Sequence, residues 1–375
     1  MKKLIVILAV IAMVGAFTAT AIADVSLYGS ARFGTYSVDS DKEFIGKAFD
    51  DRDTEWRMWN LSRFGATFKG DKVDGKFEMD ARINQSAGDT DGGTGVGTMR
   101  LRLLYGTWDF GSGKLLIGQN YPLYNFAISS VAYTTGGLQQ WGGVASATPR
   151  LSQIRLTFGD LKLAFITPNT AGTVDSDYGG ATSTYDQDMD AIFPKIELEY
   201  DLKLDNMAFQ FVGGYQSVDA VNAADDNKNV TSYVAAASGK FNFGPAYLNA
   251  ALSYRVNGSN YGVWTAVDEA AKFEGGDFQD ATTFGFAGAL GFKVNDMFTL
   301  EASAGYLSAD YDTAGSAEDT ARSYALLAKI TLAPGVMIVP EYVVLDKDKV
   351  KDAAGTETDQ GKQTAIGVWW IINFK

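Results

Sequence analysis

The chain has 375 residues, 32 basic against 45 acidic, with a formal net charge of −13 and no histidine to modify it. So acidic a balance excludes nucleic-acid binding as a main role, because a polyanion is held by clustered Lys and Arg. The lack of cysteine excludes a disulfide framework, a thiolate nucleophile and cysteine-ligated metal, and the lack of histidine removes the commonest general base and the Ser-His pair.

At the start of the chain, Lys2 and Lys3 precede an apolar run over 4–17, followed by Ala21-Ile22-Ala23. A basic end, an apolar run and a small-x-small site make a secretory leader, and the run is shorter than the roughly 20 residues a spanning helix needs. Residues 1–23 are therefore expected to be a cleaved signal peptide. Residues 24–375 read as one domain, since turn signals recur throughout with no Pro/Ser linker and no convincing helical periodicity.

Within that domain the predicted strands, in chain order, occupy 25–36, 60–69, 76–84, 99–110, 115–119, 153–158, 161–167, 195–200, 207–216, 230–241, 247–255, 282–294, 298–308, 321–332, 336–346 and 363–374. The third is the clearest: Lys76, Glu78, Asp80, Arg82 and Asn84 alternate with Phe77, Met79, Ala81 and Ile83. Period two gives a strand one wet face and one greasy face. The segments at 153–158, 195–200 and 247–255 repeat it.

Short turns at 70–74, 111–113, 159–160, 201–206, 242–245, 295–296 and 333–335 alternate with longer polar loops. Seven turns and eight loops close sixteen antiparallel strands with both termini on the turn side. The fold class is all-β: a transmembrane antiparallel up-and-down β-barrel with short periplasmic turns and long extracellular loops. The apolar stretch 326–345 is no spanning helix, because Lys329, Pro334-Gly335 and Glu341 divide it into two strands around a turn. Trp56, Trp59, Tyr105, Trp108, Tyr121, Tyr254, Trp369 and Trp370 sit near strand ends, as interfacial girdles require.

Several short motifs have a familiar order: Val25-Ser26-Leu27-Tyr28-Gly29, Ser62-Arg63-Phe64-Gly65 leading to Lys69-Gly70, and Leu104-Tyr105-Gly106 through Phe110-Gly111 to Ile117-Gly118-Gln119. In the last strand Ile366, Val368, Trp370, Ile372 and Phe374 alternate toward an aromatic end. In these the chain resembles the general diffusion porins of Gram-negative bacteria. The resemblance implies an integral outer-membrane homotrimer in contact with lipid and lipopolysaccharide, inserted by the barrel assembly machinery and passing small hydrophilic solutes by diffusion. It makes Trp370, Ile372 and Phe374 the assembly signal, although Lys375 follows the aromatic residue that is usually terminal. It also makes 120–148 an inward-folded constriction loop, offering Tyr121, Tyr124, Asn125, Phe126, Tyr133, Gln139, Gln140 and Trp141. That loop contains no Asp or Glu, so the acidic half of the family's transverse field cannot come from it.

Strand parity places Arg32, Arg63, Arg82, Arg100 and Arg102 on the lumenal face. Lipid-facing Arg or Lys would cost roughly 2–4 kcal/mol at the midplane. Two uses are open to them: pairing with Glu78, Asp80 and other carboxylates as a packed lining, or selecting permeant ions. The resulting expectation is a passive channel with a basic wall and an uncharged loop, preferring anions. The alternatives are a substrate-specific channel with an aromatic track and a barrel of mainly structural or surface role. No enzymatic role, cofactor or metal is expected. Gly111-Ser112-Gly113-Lys114 lacks the upstream glycine and following Ser/Thr of a phosphate loop, and Asp186, Asp188 and Asp190 lead to Ala191 where a calcium loop needs glycine.

Overall fold

In hydrocarbon every backbone N–H and C=O must find a partner, which a β-structure achieves only by closing on itself. The computed structural model describes residues 24–58, 62–82, 98–133, 141–142, 150–170, 188–191, 193–221, 227–274, 277–311, 318–351 and 355–375. The expected leader, Trp59, Gln139, Gln140 and Asp186 lie outside the described residues, and so does the side chain of Arg82.

Sixteen staves form the wall. They are β1 (Asp24–Ser40), β2 (Asp51–Met58 continued by Arg63–Lys69), β3 (Val73–Arg82), β4 (Thr98–Asp109), β5 (Lys114–Asn120), β6 (Leu151–Phe158), β7 (Leu161–Ile166) and β8 (Asp188–Asp190 continued by Lys195–Lys203). Then come β9 (Met207–Val221), β10 (Asn227–Phe243), β11 (Ala246–Val256), β12 (Ala281–Lys293), β13 (Phe298–Tyr311), β14 (Asp319–Ala333), β15 (Val336–Asp346) and β16 (Lys362–Phe374). Each pairs antiparallel with its neighbours in sequence. Closure comes from β1 against β16, in register from Gly29 opposite Phe374 to Ser40 opposite Gln363. The fold is a closed sixteen-stranded antiparallel barrel, and over the described residues each predicted strand is in its place. Asp24 pairs with Lys69, so the chain enters beside the short turn between β2 and β3.

Strand ends differ from expectation at the loop side. Asp39, Asp51 and Asp53, read from sequence as loop residues, lie within β1 and β2. Cross-strand pairing explains the extension: Arg52 bridges Asp39, so the ladder continues above the apolar band. What remains of the loop contains one helical turn, Lys42–Ile45, ended by Gly46 in a left-handed conformation.

Outward positions are apolar, as Leu27, Leu104, Ile117, Ile154, Leu252, Leu300, Leu326 and Ile366 show by their exposure. Trp56, Trp108, Tyr254 and Trp370 join them as exposed rings suited to the interfaces, and Ile372 and Phe374 share the outer face of β16. Trp369 does not belong to the girdle. Adjacent strand residues point to opposite faces, so it turns inward and packs in a buried cluster with Tyr36 and Tyr133. Tyr105, between outward Leu104 and Trp108, points inward for the same reason, and Tyr121 lies past the end of β5 among lumenal arginines.

The inner surface is not uniformly polar. Around β7 to β16 its lumenal positions include Ala164, Val212, Val234, Ala251, Ala287, Ala325, Val339, Val343 and Ala365, all buried. Two loop segments cover them, one beginning at Tyr121 and one at Asn257, completing two apolar clusters inside the barrel.

Candidate functional site

The opposite arc, β1 to β6, carries the arginines. Between β3 and β4 the register slips, with Glu78 opposite Leu103 and Met79 opposite Leu101, so Arg102 is an extra residue. Such a bulge re-aims a side chain and leaves backbone groups unpaired. The Gln119 amide supplies donors to the carbonyls of Leu101 and Arg102, both at 3.0 Å. Arg102 is thereby sent inward between two carboxylates, with Nε 2.6 Å from Glu78 Oε1 and Nη1 3.2 Å from Asp80 Oδ2. Arg100 donates to Asp80 at 2.6 Å, Arg63 to Glu78 at 3.4 Å, and the Tyr28 hydroxyl to Glu78 at 2.8 Å.

The two readings of the arginines therefore combine. They do pair with Glu78 and Asp80, but three guanidiniums share two carboxylates. Depth also separates the signs: the side chains of Glu78 and Asp80 are 3% and 0% exposed, whereas Arg63 and Arg100 are 23% and 36% exposed. The negative charges are covered, Arg102 is buried with them, and Arg63 and Arg100 reach water.

Arg32 makes no ion pair among the described residues; its Nε donates to Ser30 Oγ at 2.9 Å. Parity on β6 adds Arg155, whose guanidinium donates to Gln153 Oε1 and to the Tyr121 carbonyl. Arg150, just before β6, lies over the Tyr121 ring with its guanidinium carbon 5.5 Å from the centroid. Burial, then the nearby Arg102 charge, pushes the Arg150 guanidinium down to about 10, which leaves it cationic at neutral pH. Sequence reasoning misses both. The alternation at 153–158 signals Arg155, whereas Arg150 sits in a loop and no period announces it.

The constriction-loop residues that are described fall mostly on the other side. Tyr124, Phe126, Tyr133 and Trp141 are buried against the apolar arc. Asn125 forms a tight turn, its backbone N–H donating to the Leu123 carbonyl at 2.8 Å. The loop's main chain is held by wall carboxylates. Glu197 accepts from the N–H groups of Leu123 and Tyr124 at 2.6 and 3.1 Å. Glu301 accepts from Ser130 N–H at 2.7 Å and Ser129 Oγ at 2.9 Å. Glu341 accepts from Ala132 and Tyr133 N–H at 2.9 and 2.6 Å. Each glutamate also takes one tyrosine hydroxyl, from Tyr261, Tyr247 and Tyr36 respectively.

These three clamps are legible only in part: each glutamate lies on the inward face of its strand, Glu197 beside Glu199, and a buried carboxylate needs donors. Close approach adds a steric requirement. A Cβ on Gly285 would lie 2.5 Å from the Gly142 carbonyl oxygen and one on Gly305 2.7 Å from that of Trp141, so the loop can run against the wall only where side chains are absent.

A second inward segment follows β11. Its helical turn Gly258–Tyr261 places Tyr261 against Tyr124, ring centroids 6.4 Å apart. Arg255 and Glu269, both fully buried and 2.7 Å apart, fasten it to the wall. Val263 and Val267 then pack into the clusters that hold the first loop. Both loops thus fill one side of the lumen, and the open side is lined by guanidiniums. Among the described residues no group of His, Cys, Asp and Glu could hold a metal ion.

A closed sixteen-stranded barrel, apolar outside and narrowed by an inserted loop, defines an outer-membrane channel protein. The model of the Gram-negative porin family matches residues 8–353, and the chain belongs to that family. Among solved structures it is similar to the outer membrane channel DcaP of Acinetobacter baumannii, with 18% identity, TM-score 0.70, and 95% of this chain and 98% of that one covered. It is also similar to the trimer form of OmpT, an outer membrane protein of Vibrio cholerae, at 15% identity and TM-score 0.60, covering 94% and 99%. The anion-selective porin from Comamonas acidovorans matches at 15% identity and TM-score 0.58, covering 94% and 99%. Likeness at these identities shows the shared fold. No curated protein sequence matches the chain.

Proposed function

We propose that this porin is a passive channel for small hydrophilic solutes that prefers anions. One observation carries the preference: at the basic arc three guanidiniums share two buried carboxylates, and Arg63 and Arg100 reach water while Glu78 and Asp80 do not, so an ion in the passage meets net positive charge. Arg32, Arg150 and Arg155 add to that field. The acidic balance of the whole chain does not oppose it, because charges beyond about one Debye length, roughly 8–10 Å, are largely screened. Diffusion requires no covalent step, so we assign no catalytic residue or cofactor.

The test is a reversal potential in planar bilayers under a potassium chloride gradient. A potential of the sign set by chloride is expected; one set by potassium overturns the reading. The aromatic-track alternative is disfavoured, since Tyr124, Phe126, Tyr133 and Trp141 are buried rather than presented to the passage. We further propose cleavage after residue 23, insertion by the barrel assembly machinery on the signal Trp370, Ile372 and Phe374, contact with lipopolysaccharide, and a homotrimer. The OmpT neighbour occurs in a trimer form. Mass spectrometry of the mature chain should show Asp24 first, and unheated samples should migrate as trimers on gels.

A further inference from the structure

Like charges crowded at one arc repel, and the usual remedy, a carboxylate beside each, would cancel the field they create. Arg150 and Arg155 form no ion pair among the described residues, and together with Arg102, which keeps Glu78 and Asp80, they share a different partner. Tyr121 offers its hydroxyl to Arg102 Nη2 at 2.7 Å, its ring face to Arg150 at 5.5 Å, and its main-chain carbonyl to Arg155. Gln153 donates to the same carbonyl at 3.0 Å and accepts from Arg155, fixing both from the side. One neutral residue therefore uses a lone pair, a π face and a carbonyl dipole on three cations from three places in the chain.

We propose that Tyr121 is a specificity-determining positioning residue, ordering Arg102, Arg150 and Arg155 into one cationic cluster beside the passage without neutralising any of them. The inference rests on the reading of the passage as anion-preferring. The location of Tyr121 suits this role, because it is the first residue beyond β5, where the chain leaves the wall for the lumen. It therefore lies at the junction of the loop and the basic arc. A guanidinium takes a ring face as readily as an acceptor in its own plane, and the attraction leaves its charge intact. A carboxylate at this point would satisfy the same donors and remove one positive charge.

The experiment compares wild type, Tyr121→Phe and Tyr121→Leu by reversal potential and single-channel conductance in potassium chloride. Tyr121→Phe retains the face for Arg150 but frees Arg102 Nη2, leaving Arg102 on Glu78 and Asp80 alone, and Tyr121→Leu removes the face for Arg150 as well. The chloride-to-potassium permeability ratio should fall by a factor of about two in Tyr121→Phe and further in Tyr121→Leu, while conductance at high salt changes little. A purely structural role would instead move conductance and heat-modifiable migration together. An anion-preferring wild type whose ratio is unchanged in Tyr121→Phe overturns the assignment. A cation-preferring wild type overturns the reading beneath it. Tyr121→Phe preserves ring packing, so it decides the matter even where Tyr121→Leu fails to assemble.

Discussion

Arg102 and Arg255 are both buried guanidiniums on opposite arcs of one lumen, and they sit in opposite electrostatic situations. Arg255 has Glu269 to itself, both wholly buried, and the pair fastens a loop to the wall. Arg102 shares Glu78 and Asp80 with Arg63 and Arg100, and it lies near Arg32 and Arg150, which form no ion pair among the described residues. The arc from β8 to β15 matches its buried charges with donors or acceptors and covers them with loop. The arc from β1 to β6 leaves positive charge unmatched, with Arg63 and Arg100 partly open to water. Residue type does not distinguish structure from selectivity here; the ratio of charges and the order of their burial do.

The comparison breaks most readily at the covered arc. Glu269→Ala strands Arg255, and removing one partner of a buried pair costs about 3–5 kcal/mol. Urea unfolding followed by heat-modifiable migration should show a midpoint far below wild type; an unchanged midpoint would mean that the second loop is not fastened this way. Glu341→Ala is next. It takes the acceptor from the buried Tyr133 N–H, at about 1–3 kcal/mol, and from the part-buried Ala132 N–H, at less. Loosening the first loop should raise single-channel conductance and its noise with smaller loss of stability.

At the open arc the order of effects reverses. Replacing Arg32 and Arg155 together by Gln removes charge without stranding a carboxylate, so stability should hold while the chloride-to-potassium ratio falls several-fold, roughly as electrostatic steering predicts. Retention of the ratio would place the selective field elsewhere. The smallest effect on conduction belongs to the outer face. Trp370→Ala removes a lipid-facing ring from β16, and assembly in cells should slow while selectivity and conductance of the purified channel stay at wild-type values.

Legibility in the sequence differs by residue. Arg32, Arg63 and Arg100 can be placed because period two fixes the face of a strand residue without any tertiary information. Arg102 falls on the right face although a bulge intervenes, since the extra residue keeps it inward. Grouping Trp369 with Trp370 in the girdle is an error that alternation alone could prevent. Tyr124, Phe126, Tyr133 and Trp141 are recognisable as one loop, but nothing local says whether an aromatic loop faces water or packs on a wall. Arg150 carries no signal at all. Its partner Tyr121 lies 29 positions earlier, and only the return of the chain to the barrel brings them together.

Alternation and turn spacing by themselves determined the sheet, its sixteen staves, its outward apolar face and the end of the barrel at which each loop lies. Those properties are set within about ten residues, the reach of a single strand and its turn. Which half of the interior would be filled, which carboxylates would hold the loop, and which arginines would keep their charge were decided only by closure. Closing the sheet sets side by side strands far apart in sequence, as β1 and β16 are, and electrostatic balance depends on neighbours in space, which no local period encodes.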